Sequence, residues 1–377
     1  MQQPLTSPLV AFFLELCAIP SSSGKERVVA DRVLEYLETL GIEADEDDAA
    51  SRIGAGAGNL LCRLSGREDG GVPILLCAHL DTVPVDGALE PVVGEDGIVR
   101  NEGGAILGAD NKASVVVMLE AARRIVQDGL PHAGVELLFT PMEEVGLVGA
   151  AAFDATRLEA EVGFVFDQAA PIGEIVVGAP HARTLRARFH GRPAHAGMYP
   201  EEGRSAILAA ARAIADLRIG RIDEESSANV GLIDGGTARN VVPEWCTLEA
   251  EVRSHDATKL ADLVREVLET LAFAAATSDC TVETELSEQY RGYRLRGDDP
   301  PVRIAREALV AAGFEPHTAL TGGAADANVF NERGLPTVNL ANGMAEIHTP
   351  HEQIAVADLE AMVDVTLGLV EAARRAD

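Results

Sequence analysis

Apolar runs that lead to metal-binding side chains are the feature that most constrains the fold of this 377-residue chain. The runs at residues 74–78, 135–140, 163–166 and 335–340 are followed, directly or after a turn, by His79, Glu144, Asp167 and His348. Short apolar runs are typical of buried strands, and open α/β sheets build their sites at the carboxyl ends of strands. The pattern therefore predicts an α/β fold in which distant residues meet at one sheet edge.

His79 and Asp81 are separated by one residue, which places both side chains on the same side of an extended strand. A ligating histidine usually donates its other ring nitrogen to a carboxylate, which fixes the tautomer. We therefore expect His79 to bind a metal ion and Asp81 to orient its ring. Two exposed polar residues at a strand end are the alternative.

Asp110 and the pair Glu143–Glu144 are further candidates with local alternatives. Asp110 precedes the helix-like segment from Val115 to Val126, where Asp is strongly preferred as an N-cap, so helix capping competes with metal binding. Glu143 and Glu144 are adjacent carboxylates after an apolar strand. A metal would account for this crowding, with Glu144 as a ligand and Glu143 as the acceptor of a proton from water. A solvated acidic turn is the alternative.

The order and spacing of these motifs resemble the M20 family of dinuclear metallopeptidases, and within it the peptidase T-like branch. The motifs are His-x-Asp at His79, Gly-Ala-Asp-Asn-Lys around Asp110, Glu143–Glu144, the strand-end Asp167 and the distal His348-Thr. The resemblance extends over nearly the whole chain. It implies an α/β catalytic domain of the zinc-peptidase type, with a central mixed sheet flanked by helices.

The resemblance also implies two bound divalent metal ions. We expect Zn²⁺, with Co²⁺ and Mn²⁺ as alternatives. One ion would be held by His79, Asp110 and Asp167, and the other by Asp110, Glu144 and His348. Asp110 would bridge the two ions, and Glu143 would be the general base.

Residues 182–286 differ in pattern from the flanking sequence. Alternating and helical periodicities predict the order βαββαβ, which suggests a ferredoxin-like domain. The resemblance implies that this segment is a lid and dimerisation domain, inserted into a catalytic domain made of residues 1–181 and 287–377. A homodimer through the insert is therefore expected.

A further catalytic residue and the substrate-binding residues are implied by the same resemblance. His195, in a loop of small residues, would stabilise the oxyanion, and Asn240 and Arg253 would contact the substrate, with the guanidinium fork suited to a carboxylate. Gly322 and Gly323 match more weakly, since paired glycines mark loops anywhere. A turn histidine, a turn-capping amide and a surface arginine are the alternatives.

Composition excludes several classes of function. The chain has 31 Lys and Arg against 60 Asp and Glu, a net charge of −29, which argues against nucleic acid or an anionic membrane as a partner. No run approaches the ~18 apolar residues of a membrane span, and the N-terminus lacks the layout of a secretory signal. Five cysteines without a CxxC pair indicate free thiols and a cytoplasmic location.

The expected activity is metal-dependent hydrolysis of short peptides. In the family, Asp at the position of Asp167 is associated with aminopeptidases and tripeptidases. An N-acyl amino acid deacylase or a carboxypeptidase is the alternative within the family, and a catalytically silent binding or dimerisation protein is the alternative from another class. Retention of Glu143 beside a full ligand set favours an enzyme. His351 stands where relatives often carry Asn. It could compete as a metal ligand, but its offset of three residues from His348 in a Pro-containing loop favours a position that supports a ligand or lies at the surface.

Overall fold

The computed structural model describes residues 7–66 and 70–376. Its α-helices are α1 (Pro8–Cys17), α2 (Arg27–Thr39), α3 (Ala49–Ile53), α4 (Ala109–Asp128), α5 (Val148–Ala152), α6 (Ala206–Asp216), α7 (Ala257–Thr277), α8 (Pro300–Ala311), α9 (Ala327–Glu332) and α10 (Val356–Arg375). Its strands are β1 (Ala44–Glu46), β2 (Leu60–Leu64), β3 (Ile74–His79), β4 (Pro91–Val93), β5 (Ile98–Asn101), β6 (Val135–Thr140), β7 (Val162–Gln168), β8 (Glu174–Ala179), β9 (His181–His190), β10 (Gly220–Arg221), β11 (Ser226–Gly235), β12 (Trp245–Ser254), β13 (Thr281–Tyr290), β14 (Tyr293–Arg294), β15 (His317–Leu320), β16 (Thr337–Ala341) and β17 (Gln353–Ala355).

The chain forms two compact units, one made of the residues up to Gly178 and from Arg294 onward, the other of Ala179–Tyr293. The first unit contains a sheet with the strand order β1-β2-β6-β3-β7-β16-β8-β14, and β15 pairs with β8. Strands β6, β3, β7 and β16 are parallel to one another, whereas β2 is antiparallel to β6 and β8 to β16. The predicted central mixed sheet is confirmed.

The parallel strands are buried on both faces. All six residues of β3 and all six of β6 are buried, and successive side chains of a strand point to opposite faces. Helices α4, α8 and α9 pack against these strands. This explains why the strands read as continuous apolar runs in the sequence, and it brings their carboxyl ends to one edge of the sheet.

The second unit is an antiparallel sheet with the strand order β10-β11-β12-β9-β13, against which α6 and α7 pack. On β9, Leu185, Ala187 and Phe189 are buried among residues of these helices, while Arg186 and Arg188 are exposed. Apart from the two-residue strand β10, the elements follow the order βαββαβ that the sequence predicts.

The boundaries of the second unit lie a few residues outside those expected from the sequence. The contacts divide the chain at Gly178 and Arg294, whereas the sequence pattern places the insert at residues 182–286. The function of the insert as a lid and dimerisation domain stays a prediction. No helix among the described residues has the length and apolar character needed to cross a lipid bilayer.

Candidate metal centre and active site

The candidate site lies at the carboxyl edge of the parallel strands. Strand β3 ends at His79, which is in register with Thr140 at the end of β6. The turn after Thr140 carries Glu143 and Glu144, and Asp167 lies one residue before the end of β7. Parallel neighbours end at the same edge, so residues far apart in the sequence meet here.

Asp110 lies at the centre of the cluster. Asp110 and Asn111 have non-helical backbone angles, so the regular part of α4 begins after them. The Oδ1 atom of Asp110 is 3.2 Å from Nε2 of His79, and its Oδ2 atom is 3.2 Å from Nε2 of His348. The two carboxylate oxygens thus face different histidines, and these contacts, not a helix cap, occupy the side chain.

The other predicted ligands surround Asp110. Nε2 of His348 is 3.0 Å from Oε1 of Glu144, and Nε2 of His79 is 3.7 Å from Oδ1 of Asp167. The ligand atoms of His79, Asp110 and Glu144 lie within 4.8 Å of one another, and so do those of His79, Glu143 and Asp167. The structure therefore brings together residues from five separate parts of the chain.

Negative charge is crowded in this cluster. Burial, and then the charge of Asp110, raises the pKa of Asp167 to about 8. Burial and the charge of Asp167 also raise the pKa of Glu143 well above its usual range. Hydrogen bonds with Asp110 and Glu144 raise the pKa of His348 to about 10. Two imidazoles and three carboxylates are suitable ligands for zinc and similar divalent ions. Bound cations would relieve the repulsion between the carboxylates, so these residues fit such ions.

Asp81 makes contacts that the sequence did not suggest. Nδ1 of His79 lies 2.9 Å from the main-chain carbonyl oxygen of Asp81 and 3.5 Å from its Oδ1. The carboxylate accepts hydrogen bonds from the main-chain N–H groups of Glu143 (2.9 Å) and Glu144 (3.2 Å) and from the hydroxyl of Ser23 (2.6 Å). Asp81 therefore holds the turn of the two glutamates as well as contacting His79.

Two buried polar residues near the site are absent from the sequence prediction. The side-chain amide of Asn339 accepts a hydrogen bond from the N–H of Asp167 and donates one to its carbonyl, each at 2.8 Å. Asp326 accepts a 2.6 Å hydrogen bond from the hydroxyl of Thr140, beside His79. A polar side chain within a buried apolar strand, such as Asn339, was a signal that could have identified it.

The predicted catalytic residue His195 and the predicted substrate-binding residues Asn240 and Arg253 belong to the second unit. Nδ1 of His195 accepts hydrogen bonds from the N–H groups of Gly197 and Met198, both at 3.2 Å. In a neutral ring the proton is then on Nε2, which becomes a donor. The N–H of Ala196 donates to the carbonyl of Asn240 at 3.0 Å, so the two predicted loops are adjacent. Arg253, on β12, pairs with Glu251 at 2.9 Å.

The remaining predicted residues lie in loops of the first unit. Gly322 and Gly323 lie between β15 and α9, in the segment that leads to the buried Asp326, and the N–H of Gly323 donates to the hydroxyl of Thr321 at 3.2 Å. His351 is exposed, and its main-chain N–H donates to the hydroxyl of Thr349.

Comparisons with known proteins are consistent with this site. Residues 75–372 match Peptidase family M20/M25/M40. The chain is 36% identical to the uncharacterized protein YqjE of Bacillus subtilis strain 168, with 97% of this chain and 98% of the relative covered. It is similar to the crystal structure of aminopeptidase PepT from Bacillus cereus ATCC 10987, with 37% identity, 97% and 98% coverage and a TM-score of 0.87.

A tripeptidase structure from Staphylococcus aureus subsp. aureus Mu50 is similar to the chain over 98% of both chains, with 33% identity and a TM-score of 0.92. The predicted resemblance to the peptidase T-like branch and the predicted metal-dependent peptidase activity are thereby confirmed. The chain belongs to Peptidase family M20/M25/M40.

Proposed function

We propose that the protein is an aminopeptidase of the tripeptidase type that hydrolyses short peptides. Its proposed cofactors are two divalent metal ions, with Zn²⁺ as the first candidate. The observation that carries the proposal is the position of Asp110, whose two carboxylate oxygens face His79 and His348 separately. The similarity to an aminopeptidase and a tripeptidase over nearly the whole chain supports this substrate class.

Two overlapping ligand sets would hold the ions. The inner site consists of His79, Asp110 and Asp167, and the outer site of Asp110, Glu144 and His348. When bound, the ions polarise the scissile carbonyl and make the attacking water more acidic. The names reflect burial, because the side chain of His79 is 2% exposed and that of His348 is 46% exposed.

Glu143 is the proposed general base. It lies beside the ligand cluster and is largely buried, so it can accept the proton that the attacking water loses and return it to the leaving amine. Asp81 supports this function by binding the N–H groups of Glu143 and Glu144. A base must stay within hydrogen-bond reach of the proton it takes, and a main chain held at two successive N–H groups keeps it there.

The insert would complete substrate binding as a lid. The hydrogen bonds to Nδ1 of His195 leave Nε2–H as a donor, which is the group needed to stabilise an oxyanion. Asn240 and Arg253 are the proposed contacts for the substrate carboxylate, with Gly322 and Gly323 as main-chain contacts in the catalytic domain.

We also propose a homodimer through the insert. Strand β11 pairs on one side with β12, and β10 covers only its residues Ser227 and Ala228 on the other. Leu232 and Ile233 on this strand are 63% and 52% exposed. An exposed apolar edge strand favours pairing with a second copy.

We also propose that the protein is located in the cytoplasm. The five cysteines are buried and form no disulfide bonds, which supports a reducing environment.

A substrate panel tests the proposed activity. The metal-free protein is loaded with Zn²⁺, Co²⁺ or Mn²⁺ and assayed on free-amine tripeptides, N-acetylated and C-amidated tripeptides, and N-acetyl and N-succinyl amino acids. We expect hydrolysis of free-amine tripeptides and a loss of about 10²- to 10⁴-fold in kcat for Glu143→Gln. The exposed Glu346→Gln variant is the matched control and should keep wild-type activity.

The outcomes separate the candidate functions. A preference for N-acyl amino acids would identify a deacylase and refute the peptidase assignment. Equal turnover by Glu143→Gln would remove Glu143 as the base. No turnover on any substrate with any metal would favour a silent binding protein.

A further inference from the structure

Glu352 is a buried carboxylate that the ligand sets above do not use. Only 2% of the residue is exposed. Its Oε2 atom accepts a 2.7 Å hydrogen bond from the N–H of Gly108, and its Oε1 atom accepts a 2.8 Å hydrogen bond from the N–H of Asp110. A buried carboxylate is costly unless donors satisfy it, and here both donors belong to the turn that carries the central ligand. Glu352 therefore clamps the main chain at Asp110.

The same loop that supplies Glu352 also carries His348. Its base is closed by two main-chain hydrogen bonds between Ala345 and Gln353, each at 3.0 Å. Within it, the N–H of Glu352 donates to the carbonyl of Thr349 at 3.1 Å, and the hydroxyl of Thr349 donates to the carbonyl of Glu346 at 2.7 Å. These contacts fix Glu352 and His348 relative to each other.

His348 is held in a backbone conformation that a free loop would avoid. Its φ is 62°, in the left-handed region that is strained for non-glycine residues and persists only where surrounding contacts enforce it. The side chain is nonetheless 46% exposed, so packing alone does not hold it. The closed loop and its attachment through Glu352 supply the missing restraint.

The two connections meet at the outer metal site. Asp110 is attached to Glu352 through its main chain, and its Oδ2 atom lies 3.2 Å from Nε2 of His348. We propose that Glu352 is a positioning residue that links Asp110 to the His348 loop and thereby sets the geometry of the outer ion's ligands. The proposal rests on the two-ion site inferred above, and it assigns Glu352 no contact with the ion itself.

A substitution can remove half of the clamp without removing volume. In Glu352→Gln, the amide oxygen can accept one of the two N–H groups, but the amide nitrogen then faces the other, and two donors cannot bond. Substitutions of groups that orient metal ligands typically cost about 10- to 100-fold in metal affinity or activity. Asp110 belongs to both ligand sets, but His79 and Asp167 of the inner site are held by other contacts, so the larger loss should fall on the outer ion.

The experiment is a calorimetric titration of the metal-free protein with Zn²⁺. Wild type should bind two ions, and we assign the weaker step to the outer site because His348 is half exposed. Glu352→Gln should weaken that step by about 10- to 100-fold and the tighter step by less, because two of the three inner ligands keep their supports. With a tripeptide substrate, activity should be restored by added Zn²⁺ at an unchanged KM, a rescue that a general folding defect would not show. Glu346→Gln removes the same charge from the same loop and should match wild type.

The results distinguish this proposal from the function on which it rests. If wild type binds fewer than two ions, the two-ion function is refuted. If wild type binds two ions and Glu352→Gln binds both as tightly, only the positioning role is refuted. Equal losses in Glu346→Gln would also refute it. Should Glu352→Gln fail to fold, Glu352→Asp, which keeps the charge but reaches less far, is titrated in its place. An unchanged weaker step in that variant would overturn the proposal.

Discussion

Replacing Asp81 with Asn tests how the turn of Glu143 and Glu144 is held. The carboxylate is fully buried and receives three donors: the N–H groups of Glu143 and Glu144 and the hydroxyl of Ser23. In Asp81→Asn the best orientation keeps the oxygen toward Glu143. The new amide group then faces Ser23, whose hydroxyl can turn to accept it, and Glu144, whose N–H cannot.

The expected loss follows from these contacts. One N–H loses its acceptor, and the other hydrogen bonds lose the charge of the carboxylate. Hydrogen bonds to charged groups contribute about 1.5–3 kcal/mol. If Glu143 and Glu144 reach the reacting geometry only in the wild-type turn, losing these hydrogen bonds raises the activation free energy by about the same amount. The expected result is a fall in kcat of about 10- to 150-fold.

Steady-state kinetics at saturating metal, with bound metal measured in parallel, separate this role from orientation of His79. We expect kcat to fall while two ions stay bound. The exposed Asp86→Asn variant carries the same substitution five positions later and should behave as wild type. If Asp81→Asn kept kcat within about threefold of wild type under these conditions, hydrogen bonding of the turn would not matter for catalysis.

Three further predictions concern the metal-free site and its support. Below pH 8, Zn²⁺ binding should release protons, because His348 (pKa about 10) and Asp167 (pKa about 8) must lose them to bind the ion. The affinity for Zn²⁺ should therefore fall with decreasing pH, and calorimetric heats of binding that do not depend on the buffer at pH 7 would contradict this. Asn339→Leu should lower the free energy of unfolding by about 2–5 kcal/mol, measured by urea denaturation, because the N–H and carbonyl of Asp167 lose their partners. Gly149→Ala should lower Tm and activity, since a Cβ atom would lie 1.9 Å from the carbonyl oxygen of Pro141. An unchanged Tm would show that the main chain of this turn shifts at little cost in free energy.

The strand-end ligands could be recognised in the sequence because burial leaves a local signature. The runs before His79 and Asp167 are apolar throughout, since both faces of their strands are covered. Such runs identify buried parallel strands, and the sheet then brings their ends together. The insert was equally readable, because its strand β9 alternates between buried and exposed side chains.

The contacts of the supporting residues could not be predicted in the same way. Asp81 was expected to orient His79 with its carboxylate, but the main-chain carbonyl of Asp81 lies closer to the ring nitrogen. Nothing near Glu352 in the sequence marks it as the acceptor for Asp110, which precedes it by 242 residues. Local periodicity reports which faces of an element are buried, and it carries no information on which distant donor meets which acceptor.

The sequence by itself determined which residues can bind metal and that they lie at strand ends, since residue chemistry and backbone periodicity are local properties. Only the tertiary structure decided how Asp110 is used. Taken locally, Asp110 is as well suited to capping α4 as to binding metal. Long-range packing brings Glu352 to its main chain and His79 and His348 to its two carboxylate oxygens. The carboxylate therefore faces the site, because which of several local options prevails depends on partners that only the fold assembles.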